Sequence, residues 1–157
     1  MQRLIIRAIG KIPQGWQREG VAEYIERLQP FAQVSVVELP EGHEGSAKPD
    51  LVRTRQAEAV SLLKGIPEEA VIIVLDETGK IYTSTEFAER VSDWGEGGKT
   101  LVFLIGGSWG LDPSVRERAN AVVSFGKMTF PHALARIVLL EQLYRTAMIQ
   151  SGKTYHK

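Results

Sequence analysis

Three polar segments that contain glycine follow apolar stretches of the sequence and hold residues whose types could do chemistry. They are residues 75–80 (LDETGK), 105–110 (IGGSWG) and 125–132 (FGKMTFPH). In the second segment, Ser108 lies in G-G-S-W-G, which matches the G-x-S-x-G nucleophile elbow of serine hydrolases. Such enzymes also need an acidic residue from a later strand end, and Asp112 comes only four residues after Ser108. We therefore favour a glycine turn that lets a ligand approach the backbone, with a plain turn as the alternative.

The start of the last predicted helix carries a second group of candidates. His132 and Arg136 are four positions apart and so share one helix face, and Tyr144 and Arg145 follow on the same helix. A cationic face that runs towards the strand ends is suited to binding an anion. A helix cap and a solvated surface are the alternatives.

Two carboxylates, Asp76 and Glu77, follow the third predicted strand, where such groups can act in acid–base chemistry or bind a metal ion. Capping and turn formation are commoner roles for them, and no histidine lies nearby in the sequence. We therefore predict no metal site. We expect Gly79 to supply a left-handed turn.

The final residues, 152–157 (GKTYHK), have the composition of a disordered tail. They also combine an aromatic ring, an imidazole and two lysines, which suits base stacking and phosphate contact. The residues alone leave both interpretations open.

Strand-like and helix-like patterns alternate along the chain. Strands are predicted at residues 2–9, 34–39, 70–75, 101–105 and 121–125, and helices at 16–28, 51–63, 84–94, 113–119 and 131–149. Nearly all-apolar strands such as AVIIVL (70–75) are typical of a parallel sheet buried on both faces. We predict one α/β domain over residues 1–157, with a mainly parallel sheet, helices on both faces and Pro131 as the first residue of its helix. The three polar segments should then meet beyond the carboxyl ends of the strands.

Composition excludes several classes of protein. The chain has 157 residues, no cysteine and three histidines far apart, so disulfide frameworks, thiolate nucleophiles and cysteine-bound metals are excluded. No apolar run approaches the roughly 20 residues that span a bilayer, and residues 1–11 lack a signal-peptide pattern, so we expect a soluble, cytoplasmic protein.

The net charge of zero argues against a nucleic-acid partner. However, residues 1–20 carry four basic side chains and one acidic side chain, and residues 127–157 carry five basic side chains and one acidic side chain. The two ends are therefore basic although the whole chain is neutral, and this asymmetry is more informative than the total.

Five segments, in their order and spacing, resemble the ribosomal RNA large-subunit methyltransferase H family of the SPOUT class. They are residues 75–80, 105–110, 124–136 (SFGKMTFPHALAR), 141–145 (EQLYR) and 155–157 (YHK). The similarity runs from the first strand to the last residue. It implies a C-terminal trefoil knot and a homodimer that uses S-adenosylmethionine to methylate N3 of a pseudouridine in large-subunit (23S) ribosomal RNA.

The resemblance also implies the residues of the site. Those for the cofactor are Leu75, Gly106, Phe125, Gly126, Lys127, Met128, Thr129 and Phe130. An imide nitrogen must lose its proton to become a good nucleophile, so a base or a stabilising cation is needed. The candidates for catalysis are His132, Arg136, Tyr155 and His156, and those for RNA contact are Tyr144, Arg145 and Lys157.

We expect the tail of one subunit to complete the site of the other. The alternatives are a non-catalytic RNA-binding module and the serine hydrolase that uses Ser108.

Overall fold

In the computed structural model, which describes residues 1–43 and 47–155, five strands alternate with five α-helices. The strands are β1 (Gln2–Ile9), β2 (Ala32–Leu39), β3 (Val71–Ile81), β4 (Leu101–Ile105) and β5 (Ala121–Ser124). The helices are α1 (Trp16–Leu28), α2 (Leu51–Leu63), α3 (Ser84–Trp94), α4 (Pro113–Arg118) and α5 (His132–Gln150). The predicted α/β alternation is therefore confirmed.

The strands form one parallel sheet in the order β2-β1-β4-β3-β5. β4 lies in the middle, and all of its residues are buried, as its uninterrupted apolar sequence LVFLI requires. Since the strands are parallel, the loops after β3, β4 and β5 leave the sheet at the same edge. This edge is where the sequence predicts the pocket.

Helices cover both faces of the sheet, as predicted. One face packs against α1, α3 and α5 through residues such as Ile6 and Phe103, which are fully buried. The other face packs against α2 and α4 through residues such as Ile72 and Leu104. Successive strand residues point to opposite faces, so an all-apolar strand supplies both cores.

β3 is longer than predicted because it resumes pairing with β5 after an irregularity. Leu75 and Lys80 both align with Val123, so residues 76–79 form an excursion from the ladder, and Ile81 then aligns with Ser124. The predicted left-handed turn at Gly79 is wrong, since Gly79 is not among the glycines with positive φ. A side chain there would meet the backbone of Val123 at 2.7 Å. Close strand packing, rather than turn geometry, therefore requires the glycine.

Pro131 does not occupy the first helical position that the sequence predicts. It is the N-cap of α5, with extended backbone angles (φ −54°, ψ 141°), and the helix begins at His132. His132 therefore stands where the last polar loop becomes helix, at the edge of the sheet that carries the three loops.

No helix in the described part of the chain is long and apolar enough to cross a membrane. The trefoil knot stays a prediction from the family resemblance.

Candidate active site

A cavity of roughly 890 Å³ lies beyond the carboxyl ends of β3, β4 and β5, which is large enough for a small-molecule ligand. The three polar segments all contribute to it. Most of the residues predicted to hold the cofactor line it: Leu75, Gly106, Phe125, Gly126, Met128, Thr129 and Phe130. The exception is Lys127, whose side chain is exposed and does not line the cavity.

The first loop is held by its own carboxylates. Asp76 accepts hydrogen bonds from the N–H and hydroxyl of Thr78 at 2.8 and 2.7 Å and forms an ion pair with Arg116 at 2.9 Å. Burial alone would raise the pKa of Asp76, but these contacts outweigh it and hold the pKa below its ordinary value. Glu77 accepts a hydrogen bond from Thr129 at 3.0 Å, which joins the first loop to the third. The structure thus gives both carboxylates roles in fastening the loops.

The conformation of the third loop depends on Gly126. Its backbone N–H donates to the buried Ser124 hydroxyl at 3.0 Å, and that hydroxyl donates to the Gly126 carbonyl at 2.8 Å. Gly126 has φ +127°, which glycine adopts readily and other residues rarely do. A side chain at this position would therefore be strained.

The second loop needs glycine at two successive positions. A side chain on Gly106 would meet Leu111 at 2.7 Å, and one on Gly107 would meet Ile9 at 2.9 Å and both carboxylate oxygens of Glu58 at 3.2 Å. Burial raises the pKa of Glu58, although the Gly42 N–H donates to it at 3.2 Å. The loop therefore lies directly against the core, and close packing by itself requires both glycines; approach of a ligand to this backbone stays a prediction.

The arrangement around Ser108 does not support the serine hydrolase. Ser108 is exposed in the second loop, and Asp112 is the N-cap of α4. Its Oδ1 accepts from the N–H and the hydroxyl of Ser114 at 3.0 and 2.6 Å. Asp112 thus stabilises the first turn of a helix.

His132 lies at the edge of the cavity with a half-buried imidazole. Gly10 makes room for it, since a side chain there would meet His132 Nε2 at 3.1 Å. Burial lowers the pKa of His132, the charge of Arg136 lowers it further, and Glu41 opposes the change. The neutral imidazole, which can accept a proton, is therefore favoured.

Arg136 is placed differently from the sequence prediction. Its side chain is fully buried and does not line the cavity. It donates to the carbonyl oxygens of Ile9 and Gly10 at 2.9 and 2.6 Å and forms an ion pair with Glu38 at 2.9 Å. The predicted anion-binding role is thus corrected, since these acceptors occupy both terminal nitrogens of the guanidinium.

Glu38 joins this buried contact to the loop after β1. It accepts from the Ile12 N–H at 2.6 Å and pairs with Arg18 at 3.3 Å, while Arg18 also donates to the Ile12 carbonyl. Burial alone would raise the pKa of Glu38, but hydrogen bonds from Ile12 and Arg136 outweigh it and keep the pKa below its ordinary value. The carboxylate is therefore ionised at neutral pH and matches the charge of the buried guanidinium.

Tyr155 is held against the middle of α5. Its hydroxyl donates to Glu141 Oε1 at 3.2 Å, its ring lies edge-on to Tyr144 at 5.0 Å between centroids, and Arg145 lies over it at 4.8 Å. Arg145 also forms an ion pair with Glu141 at 2.8 Å. Burial and the Glu141 charge raise the pKa of Tyr155 to about 12, so its phenol stays protonated at neutral pH.

Two residues of helix α1 that were not among the predicted site residues pack against Tyr144. Tyr24 lies 6.3 Å from Tyr144 between ring centroids, and Arg27 lies over both rings at 5.4 and 5.8 Å. In the sequence, Tyr24 is recognisable only as one of the apolar positions at helical spacing in α1. An exposed arginine such as Arg27 has no distinguishing pattern. Their contribution depends on the packing of α1 against α5, which sequence periodicity does not specify.

The remaining candidates, His156 and Lys157, lie outside the residues that the structure describes. Within the described ranges, no three or more histidine and acidic side chains come together in a way that would hold a metal ion.

Replacement of Arg136 tests its structural role. We expect Arg136→Ala to lower the free energy of unfolding by about 3 to 5 kcal/mol, because it leaves Glu38 and two carbonyl groups without their buried partner. Urea unfolding at one fixed protein concentration measures this change. Arg90→Ala, which removes a surface ion pair with Asp93, serves as the control and should have little effect. An Arg136→Ala protein with unaltered stability would contradict the assignment.

The protonation of His132 can be measured by NMR titration of its imidazole. We expect a pKa below the ordinary value of about 6.5, and a further decrease in Glu41→Gln, which removes the carboxylate that opposes the shift. Since the folded state then binds the proton less well than the unfolded state, His132 contributes stability above about pH 6.5 that is lost as the pH falls. A pKa above the ordinary value would contradict the described burial of His132 and its proximity to Arg136.

Comparison with known proteins shows the family of the chain. Residues 1–156 match the family model described as "Predicted SPOUT methyltransferase". The chain is 40% identical over 157 residues to ribosomal RNA large subunit methyltransferase H of Carboxydothermus hydrogenoformans, covering 98% of this chain and 99% of the relative. It is 39% identical over 152 residues to the protein of the same name from Streptococcus suis, covering 95% and 96%.

A solved structure shows the fold independently. The crystal structure of the probable rRNA-methyltransferase from Porphyromonas gingivalis superimposes with a TM-score of 0.56 at 17% identity, over 95% of this chain and 70% of that one. This likeness shows the fold alone, and the match of the family model over residues 1–156 establishes that the chain belongs to the SPOUT methyltransferase family.

Proposed function

We propose that this chain transfers a methyl group from S-adenosylmethionine to N3 of a pseudouridine in large-subunit (23S) ribosomal RNA on assembled ribosomes. The similarity to relatives that are named for methylation of this RNA supports the reaction class. The observation that carries the proposal is structural. The three loops predicted to hold the cofactor converge on one cavity, with the imidazole of His132 at its edge.

The residues around the cavity fit S-adenosylmethionine. Leu75, Phe125 and Phe130 provide apolar surface for an adenine ring, and Gly106 and Gly126 line the same cavity without side chains that would fill it. When bound, this cofactor supplies a methyl group that its positively charged sulfur makes electrophilic. The first and third loops are tied together by Glu77 and Thr129, so the cofactor and a base could be aligned without large rearrangement.

His132 is the residue of this cavity best suited to accept the N3 proton. Its lowered pKa keeps the imidazole neutral at neutral pH, so it can take up a proton before or during formation of the new N–C bond. Arg136 acts on this step only through His132, by adding a positive charge nearby and by fixing the start of α5. We therefore assign His132 as the general base and Arg136 as a positioning residue.

The tail residues would act in the cavity of a partner subunit. Glu141, which binds Tyr155, lies nine residues after His132 on α5. At the helical rise per residue this is about 14 Å along the axis, so Tyr155 is held away from the cavity of its own chain. In a two-fold symmetric homodimer each tail can meet the other cavity. Tyr144, Arg145 and Tyr155, with His156 and Lys157, would then contact RNA or the target base there.

A dimer also suits the charge distribution. The chain is neutral overall, so its non-specific attraction to RNA phosphates should be modest. Bringing the basic end of one subunit next to the cavity of the other would concentrate positive charge there. We place the reaction in the cytoplasm, with the ribosome as the partner.

A non-catalytic RNA-binding module is the alternative function. It would share the basic ends but would have no need for S-adenosylmethionine. Calorimetric titration of the protein with the cofactor separates the two. The absence of binding would rule out the methyltransferase.

Transfer of label from methyl-labelled S-adenosylmethionine to ribosomes tests the reaction. We expect the wild-type protein to label large-subunit RNA and His132→Ala to lower kcat by about 100-fold, the lower range for loss of a general base. The affinity for the cofactor should stay within about twofold, since the imidazole is assigned to the proton and not to cofactor binding. Arg90→Ala is the control for a surface change. Normal turnover in His132→Ala would remove His132 from the mechanism.

A further inference from the structure

We propose that Trp109, held by Arg55 and flanked by His43, forms a stacking site for an unpaired base of the RNA substrate at the rim of the cavity. The inference rests on the proposed function, because it takes RNA as the substrate. The site lies on the second loop, next to α2 and opposite the start of α5.

Trp109 is a large apolar side chain that stays accessible to solvent. Its side chain lines the cavity, and the residue is 39% exposed. It occupies the tip of a tight turn closed by the bridge between Gly107 and Gly110, with the Gly110 N–H donating to the Gly107 carbonyl at 3.3 Å. An indole ring held at the rim of a ligand cavity offers a flat face on which a base can stack.

The turn that carries Trp109 is fixed from three sides. Arg55 Nε donates to the Trp109 carbonyl at 2.6 Å. The His43 ring lies edge-on to the indole, 6.2 Å between centroids and 82° between planes. At the base of the turn, Gly107 lies against Glu58 so closely that a side chain would not fit without displacing a neighbour. A ring that is already ordered loses little conformational entropy when a base stacks on it.

Arg55 adds a positive charge beside the ring. The side chain of Arg55 lines the cavity. Within the described part of the chain, Arg55 donates one hydrogen bond, from Nε. The two terminal nitrogens are therefore available to a phosphate. Asp112 lies near enough for an electrostatic interaction with Arg55, but Oδ1 of Asp112 already accepts a hydrogen bond from the Ser114 N–H. An aromatic face next to an arginine is the combination that single-stranded RNA-binding surfaces use for a base and its phosphate.

The adenine of S-adenosylmethionine is the other base that could stack on Trp109. Two features favour RNA. The apolar side chains at the strand ends, Leu75, Phe125 and Phe130, already provide a separate surface for the adenine. The cavity, at roughly 890 Å³, is near the upper end of the range for a single ligand, so it has room for a nucleotide as well.

Fluorescence of Trp109 distinguishes the two bases. In the variant Trp16→Phe/Trp94→Phe, Trp109 is the sole tryptophan. We expect a single-stranded oligoribonucleotide to quench its emission and S-adenosylmethionine alone to leave it nearly unchanged. Quenching by the cofactor alone would overturn the proposal. Unchanged emission at an RNA concentration that saturates binding in a filter assay would also overturn it.

Kinetics provide a second measurement. We expect Trp109→Ala to raise KM for ribosomes about 10-fold, the loss typical of one stacked base, with the cofactor affinity within about twofold of wild type. Trp109→Phe, which keeps an aromatic face, should recover part of the loss. Trp16→Ala is the matched control, since Trp16 is exposed but does not line the cavity. A Trp109→Ala protein with weaker cofactor binding and an unchanged KM for ribosomes would overturn the assignment.

The salt dependence of RNA binding tests Arg55. We expect Arg55→Gln to reduce the slope of log Kd against log salt by about one, as for loss of one phosphate contact, and Arg55→Lys to retain the slope. Equal slopes for Arg55→Gln and the wild-type protein would remove the phosphate contact from the proposal.

The two proposals fail in different ways. Quenching of Trp109 by RNA without methyl transfer by the wild-type protein would refute the enzyme and keep the stacking site. Methyl transfer without quenching would refute only the stacking site.

Discussion

The buried ion pair between Arg136 and Glu38 is the contact on which the geometry of the site depends. A guanidinium with no exposed surface must be matched by a charge and by hydrogen-bond acceptors, and here Glu38 and the carbonyls of Ile9 and Gly10 provide them. These groups belong to the ends of β2 and β1, whereas Arg136 belongs to α5. The contact therefore fixes the first turn of α5 relative to the sheet, which places His132 at the edge of the cavity and gives it a neighbouring positive charge.

The same helix separates the cavity from the aromatic contacts that hold Tyr155. At its start, the three loops after β3, β4 and β5 surround the cavity, and each loop is fastened by short-range contacts, such as Ser124 to Gly126. About two and a half turns further on, Glu141 holds Tyr155 among aromatic rings. The described part of the chain thus presents a pocket at one place and Tyr155 at another. This separation is the physical reason to expect two subunits in one active site.

Much of the fold follows from the sequence because an all-apolar strand such as β4 has few alternatives to the middle of a parallel sheet. The position of the pocket follows as well, since parallel strands bring their following loops to one edge. The side-chain roles were harder to predict. The spacing of His132 and Arg136 shows that they share a helix face, but it does not show that Arg136 is buried by Glu38, which is 98 residues away.

The glycines show a similar limit. A glycine between polar residues is usually a turn, and only the approach of β5 reveals that Gly79 is needed for strand packing. Trp109, Arg55 and His43 come from separate parts of the chain, so no local pattern joins them. The net charge of zero hides two basic ends, at residues 1–20 and 127–157, which become visible only when charges are counted segment by segment.

Activity of mixed dimers is the most direct test of the central claim, that the cavity of one subunit works with the tail of the other. One parent carries His132→Ala, and the second lacks residues 155–157. In heterodimers purified through two different tags, one of the two sites combines an intact cavity with an intact tail, so the proposed arrangement predicts about half of the wild-type turnover per dimer. Both parents should have little activity as homodimers, with about 1% of the wild-type turnover for His132→Ala. Heterodimers as inactive as their parents would show that each chain uses its own tail, and would contradict the shared site.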